Sequence, residues 1–365
     1  MGFFRSFDYI SFVCIICLLS IGLLTIYSVT LNDGKTIQDN ILNKQIISAL
    51  LGIALYFVFS RIDYSHLKSF SGLIYVISLL LLIFTFVWGL ETRGSTRWVE
   101  LGYFRMQASE FVKLGVIIVL AKSFSSRPAK ELKNLIAPTV LTVIPLYLIY
   151  KQPDLGSAIV LAAVFLGLVF VAGLKFRYLL TVTVLLVFLA PLAWGVLKDY
   201  QRQRITTFLN PESDPLGSGY NVIQSMIAVG SGQISGKGFG RGTQSHLNFL
   251  PEQHTDFIFA TLSEELGLVG SLALFIIAAA LIFRQIYISN KISDPFGSLL
   301  ILGVIIQIAV QLFINVGMNV GLVPVTGITL PLVSYGGSSL VSLMISLGIL
   351  QSVYRFGQKV DSQTI

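Results

Sequence analysis

Repeated apolar runs of membrane-spanning length constrain this chain more than any single motif. About twenty consecutive apolar residues cross a bilayer as an α-helix. Such runs recur near 9–31, 45–60, 70–90, 108–123, 134–150, 155–173, 178–198, 256–287, 297–320 and 332–354. The expected fold is therefore all-α, a polytopic membrane protein of about ten transmembrane helices forming one domain over residues 1–365. Only 12% of the residues are charged and 54% are hydrophobic, whereas a soluble chain carries about twice that charged fraction.

The few charges are informative by position. Arg61 and Lys68, then Lys122, Arg127, Lys130 and Lys133, then Lys175 and Arg177, then Arg284 and Lys291 fall in alternate connections. They share a side with Arg5, Arg355 and Lys359. By the positive-inside bias that side is the cytoplasm, and an even number of spans puts both termini there. The net charge of +7 is scattered over these loops, which suits anionic headgroups and not a nucleic-acid stripe, so nucleic acid is not expected as a partner. Cys14 and Cys17 read C-x-x-C, but inside an apolar run they are packing residues and not a redox or zinc pair. Arg5 precedes a run too long for a signal-peptide core, with no small-x-small cleavage site after it. The first span is expected to remain as a signal anchor.

One connection breaks the short-loop pattern. Residues from about 199 to 255 form a long extracytoplasmic loop between spans seven and eight, holding Gly230-Ser231-Gly232 and Gly236-Lys237-Gly238-Phe239-Gly240-Arg241-Gly242. It is not a nucleotide P-loop, because Lys237 is followed by Gly and no glycine sits five residues before Gly236. A basic lid over a site and a flexible linker are both compatible with it.

Charge also appears on the outer side, where hydropathy alone would not place it. Arg93 to Trp98 runs on to Arg105; Gln107-Ala108-Ser109-Glu110-Phe111-Val112-Lys113 opens the fourth span; Lys151-Gln152-Pro153-Asp154-Leu155-Gly156 turns between spans five and six. The fourth stretch, Pro251-Glu252-Gln253-His254-Thr255-Asp256-Phe257-Ile258-Phe259, lies where water gives way to lipid. An ionisable group there is costly unless something solvates or uses it. Thr255 or Asp256 capping the next helix is the simpler reading, and it does not exclude chemistry. Glu110 and Lys113 are three apart and share a helix face, either locking the span to a neighbour or bordering a wet cavity. Asp154 can cap the sixth span. Glu264 and Glu265 either face the same cavity as Asp256 or bond a neighbouring backbone. His246 and His254 are too isolated to suggest a metal site. Cations and carboxylates gathered on one side suit an anionic lipid headgroup plus a group that loses a proton, or an ion or solute path.

These motifs, in this order, resemble the SEDS family (shape, elongation, division and sporulation). They are Arg97-Trp98, Gln107 to Lys113, Lys151 to Gly156, Pro251 to Ala260 followed by Glu264-Glu265-Leu266-Gly267, and Thr329-Leu330-Pro331-Leu332-Val333-Ser334-Tyr335-Gly336-Gly337-Ser338-Ser339. The resemblance covers essentially the whole chain. It is closer to the elongation branch than to the division branch, through Lys151-Gln152-Pro153-Asp154-Leu155 and through Leu332-Val333 before Ser334.

The resemblance implies a peptidoglycan glycosyltransferase at the outer face of the bacterial cytoplasmic membrane. Such enzymes join lipid II into glycan strands, release a prenyl diphosphate, and work with a class B penicillin-binding protein within the elongation machinery. It also implies that Asp256 is the essential carboxylate, the general base for the attacking hydroxyl. Arg97, Arg105, Lys113 and Lys151 are the candidate diphosphate ligands. Trp98 offers a face to a sugar ring, Glu110 orients Lys113, and Asp154 positions the donor. Gln107, His254, Thr255 and Ser334 complete the expected substrate-binding set. No cofactor is firmly implied. A divalent cation, Mg or Mn, held by Asp256 or Asp154 is compatible with a diphosphate leaving group. A lipid II flippase, a division-type polymerase, a solute transporter and a non-enzymatic scaffold are the alternatives.

Overall fold

The computed structural model describes residues 6–31, 36–92, 95–101, 104–178, 199–213, 219–246 and 249–361, with a few isolated positions between 179 and 198. Lipid offers no partner for a bare N–H or C=O, so apolar runs satisfy their backbone internally as helices. The long helices are α1 (Tyr9–Thr30), α2 (Thr36–Phe59), α3 (Ser65–Trp88), α4 (Ala108–Ser126), α5 (Ile136–Lys151) and α6 (Leu155–Val171). After a segment of shorter helices come α10 (Ile258–Ser289), α11 (Pro295–Asn319) and α12 (Gly337–Asp361). Seven of the described helices are long and apolar enough to cross a membrane. The other two are α4, whose run is broken by Glu110, Lys113 and Lys122, and α6, which has 17 residues. The span expected over 178–198 lies largely outside the described residues.

Burial sorts the helices into centre and rim. In α11 61% of the span is buried and in α12 72%, against 22–39% for α1, α2, α3, α5 and α10. The rim helices present Leu, Ile, Val and Phe outward to lipid. Association within lipid rests on close packing, which small residues permit. A Cβ at Gly303 of α11 would stand 2.7 Å from the Ile117 side chain of α4, and one at Gly348 of α12 would stand 2.6 Å from the Tyr56 carbonyl of α2.

The all-α expectation needs one correction. Residues 90–107 form a small antiparallel sheet of β1 (Leu90–Thr92), β2 (Ser95–Leu101) and β3 (Phe104–Gln107), in the order β1-β2-β3. The stretch is too polar to enter lipid as a helix, and its strands satisfy one another's backbone groups. The long loop after position 199 also differs from both expectations. It contains α7 (Asp199–Leu209), α8 (Tyr220–Ser231) and α9 (Thr243–His246), and its glycine-rich part is fastened to α10.

That fastening breaks α10. Gly267 has φ 65° and ψ −158°, inside what is otherwise one helix. Residues 233–238 fill the break: Lys237 and Gly238 donate to the Glu264 and Glu265 carbonyls, and Leu268 and Val269 donate to the Gln233 and Ile234 carbonyls. A Cβ at Gly267 would collide with the Gly236 nitrogen, and one at Gly236 with the Glu265 carbonyl. Only glycine fits this conformation and this approach.

Candidate active site

The β-hairpin and the start of α4 converge on Asp154. Gln107 Nε2 and Ser109 Oγ donate to Asp154 Oδ2 at 2.8 and 2.9 Å. The Ser157 backbone N–H donates to Oδ1 at 3.1 Å, which makes Asp154 the N-cap of α6. Arg97 Nη1 lies 3.6 Å from Oδ1. Asp154 is 3% exposed, so its carboxylate is spent on joining the hairpin, α4 and α6. A metal there would displace these donors, and no group of three or more His, Cys, Asp and Glu is found among the described residues.

The expected cations differ in their surroundings. Lys113 Nζ bonds Glu110 Oε1 at 2.7 Å, with side-chain exposures of 1% and 9%. The Glu110 carbonyl accepts from Ser342 Oγ at 2.8 Å, tying α4 to α12. This pair locks the bundle, as the simpler reading has it, and Lys113 is not presented to a ligand. Lys151 is exposed, its Nζ 5.5 Å from the Tyr147 ring centre. Its neighbour Gln152 is fully buried and donates Nε2 to the Leu82 carbonyl at 2.8 Å, a role the sequence reading missed. Trp98 is half-buried on β2, opposite Gln107. Arg105 is 62% exposed and pairs with Glu100 at 3.1 Å, a contact worth little in water. Arg93 lies outside the described residues, as does the side chain of His246.

The 250–257 stretch is a run of turns leading into α10, and its main chain is held from two sides. From one side Tyr335 N–H donates to the His254 carbonyl at 2.8 Å and Ser334 Oγ to the Thr255 carbonyl at 2.7 Å. Gln45 of α2 braces that segment, donating to the Ser334 carbonyl at 3.1 Å and accepting from Gly336 N–H at 3.2 Å. The His254 and Tyr335 rings meet edge to face at 5.5 Å. From the other side Asn315 and Asn319 of α11 each donate Nδ2 to the Asp256 carbonyl at 3.0 Å. Both are fully buried. Two amides four apart in an apolar span were the available signal for them, and the sequence reading did not use it.

The N-cap of α10 is Phe257, which has no side-chain cap, and Asp256 precedes it. Thr255 does not cap the helix either, since its hydroxyl turns back to Glu252, 3.2 Å from the carbonyl and 3.1 Å from Oε2. Glu252 has φ 53°, a strained conformation for a non-glycine residue of the kind that clusters at functional sites. Beside this turn a cavity of about 210 Å³ is lined by Ile26 and Val29 of α1, Ile41 of α2, and Leu250 to His254.

Glu264 and Glu265 belong to the glycine-rich segment and not to that cavity. Glu264 Oε1 accepts from Lys237 Nζ at 2.7 Å, Thr243 N at 2.8 Å and Gln244 N at 3.0 Å, and Oε2 accepts from Ser245 N at 3.3 Å. It thus caps α9 from a distance. Glu265 Oε1 accepts from Ser28 Oγ at 2.5 Å, and that hydroxyl accepts from Gly240 N–H at 3.0 Å.

Fold and site together define a polytopic membrane protein with a polar, internally braced carboxylate turn at one end of its bundle. The sequence pattern of the cell cycle protein family, that of FtsW, RodA and SpoVE, matches residues 9–359, and the chain belongs to this family. It is similar to the peptidoglycan glycosyltransferase MrdB of Escherichia coli, at 41% identity over 91% of this chain and 90% of that one. Among solved structures it resembles a chain from a peptidoglycan synthase complex, with TM-score 0.83, 30% identity and 96% and 98% of the two chains covered. It also resembles the rod shape determining protein RodA of Thermus thermophilus, with TM-score 0.73, 28% identity and 96% and 97% covered.

Proposed function

We propose that this chain is a peptidoglycan glycosyltransferase that joins lipid II units into glycan strands, with Asp256 as general base. The relatives carry that enzyme class in their names. The observation that carries the residue-level reading is the bracing of the 254–256 main chain by four side-chain and backbone donors, two of them on the Asp256 carbonyl, beside a cavity. A fixed carboxylate is what a base needs, because it must lie within hydrogen-bond reach of the proton it takes. In the reaction the C4 hydroxyl of N-acetylglucosamine attacks C1 of N-acetylmuramic acid, its proton passes to Asp256, and the prenyl diphosphate leaves.

The leaving group's charge falls to Arg105 and Arg97 on the hairpin, with the exposed Lys151 as a further cation. Lys113, neutralised by Glu110 inside the bundle, drops out of that set. Trp98, His254, Thr255 and Ser334 shape the approach, and Gln107 and Asp154 hold Arg97 in place. The whole chain works as one domain of ten spans, with both termini cytoplasmic and the site facing outward. The MrdB and RodA relatives support a role in cell elongation, and the synthase-complex neighbour supports a penicillin-binding protein as partner.

A lipid II flippase is the second reading, and the break in α10 favours it, because transporters often carry interrupted helices. Against it, residues 233–238 of the chain itself fill that break. One assay separates the two. Purified protein, alone and with a class B penicillin-binding protein, is incubated with lipid II in detergent, and in liposomes for scrambling. Glycan polymer in detergent is the expected result. Scrambling without polymer in any condition overturns the enzyme reading in favour of the flippase.

A further inference from the structure

In an α-helix the N–H of residue 260 would bond the carbonyl of residue 256. At the start of α10 a side chain from α11 stands between them. Ala260 N–H donates to Asn319 Oδ1 at 3.1 Å, and Asn319 Nδ2 donates to the Asp256 carbonyl at 3.0 Å. One amide therefore bridges the two groups that would otherwise close the first helical turn. Asn315, one turn earlier on α11, donates Nδ2 to the same carbonyl at 3.0 Å and to the Ile328 carbonyl at 2.7 Å. Ser225 of α8 also reaches Asn319, 3.0 Å from its carbonyl and 3.2 Å from Oδ1.

Both amides are 0% exposed, and burying them is costly unless they are paired. Packing alone would be served as well by leucine. What these residues supply is a fixed position for one peptide group.

We propose that Asn319, assisted by Asn315, is a positioning residue for Asp256. Its inserted amide holds the Asp256 peptide out of α10, so that the carboxylate is presented from the turn and not wound into the first helical turn. This rests on the reading of Asp256 as the base. Neither asparagine touches substrate; they act through the backbone to which the base is attached, as the supporting shell of a site does. A carboxylate displaced by about 1 Å loses about a hundredfold in rate, so the effect belongs in turnover and not in substrate binding.

The test measures kcat and KM for lipid II polymerisation, with thermal melting in detergent, on the full-length protein. Asn319→Asp keeps the acceptor for Ala260 and Ser225 but as a carboxylate cannot donate to Asp256. Asn319→Ala removes both functions, and Asn315→Ala removes one of the two donors. Asn319→Asp sets a buried carboxylate against the Asp256 and Asn315 carbonyls, so a lower melting temperature is expected with it, and in the folded protein kcat falls about tenfold or more with KM within about twofold. Asn319→Ala loses at least as much kcat, and Asn315→Ala loses less. Wild-type kcat in Asn319→Asp overturns the proposal, as does a fall in kcat matched by a rise in KM. Should the Asn319 variants fail to fold, Asn315→Ala decides on the same split between kcat and KM. Asp256→Asn, run in parallel, separates the two claims. A polymerising Asp256→Asn removes the base and this role together, whereas an inactive Asp256→Asn beside a fully active Asn319→Asp removes the positioning role alone.

Discussion

At Asp154 and Glu264 hydrogen-bond donors converge on the carboxylate, whereas at Asp256 two buried amides converge on the backbone carbonyl. The first arrangement makes a charged side chain into a structural joint: Asp154 ties the hairpin to α4 and α6, and Glu264 ties the glycine-rich segment to α10. The second fixes the backbone to which a carboxylate is attached. A membrane-embedded carboxylate is expensive in either case. Replacing a joint should cost stability, and replacing the base should cost turnover.

The largest loss of stability is expected at the buried pair. Lys113→Ala leaves Glu110 charged and unpaired inside the bundle, a cost of about 3–5 kcal/mol, which is read as a lower melting temperature and yield in detergent. Gly267→Ala sharpens the contrast from the backbone side. With φ 65° and ψ −158° and Gly236 against it, a methyl group there should cost about 3 kcal/mol and undock residues 233–238. Glu264→Gln points an amide N–H₂ at a site filled with donors, costing about 2 kcal/mol. Hydrogen exchange at Thr243 to Ser245 should accelerate in that variant and stay unchanged around Asp256. Asp154→Asn is the mildest, because asparagine still caps α6, while the Gln107 and Ser109 side is upset and the charge beside Arg97 is lost. About 1 kcal/mol is expected, and a variant that instead lost activity with full stability would move Asp154 into the chemical group.

The sequence made the helical membrane class legible because hydropathy is summed over whole spans, and nine of the expected spans overlap described helices, although the second helix starts nine residues earlier and the last one is shifted by five to seven. It hid the hairpin at 90–107, since charged residues there read as loop although Arg97, Val99 and Leu101 alternate with Trp98 and Glu100. It hid α8 behind the glycines that follow it. It hid the break at Gly267 because Glu264-Glu265-Leu266-Gly267 continues a helical pattern, and only the tertiary docking of Gly236 explains the turn. The family motifs contain Asp256, Arg97, Lys113 and Ser334, and the outer-side charge pattern added Arg105. They did not reveal that Lys113 is sequestered, that Glu264 faces the glycine-rich segment, or that Asn315 and Asn319 hold the turn. Each of those depends on which face a helix turns to its neighbours.

The central claim is that Asp256 performs chemistry while its surroundings perform structure. Its most direct test is turnover of purified lipid II by Asp256→Asn, with melting temperature measured on the same sample. A wild-type melt and at least about a hundredfold loss of glycan polymer are expected, in the range general base catalysis supplies. Polymerisation at the wild-type rate would contradict it.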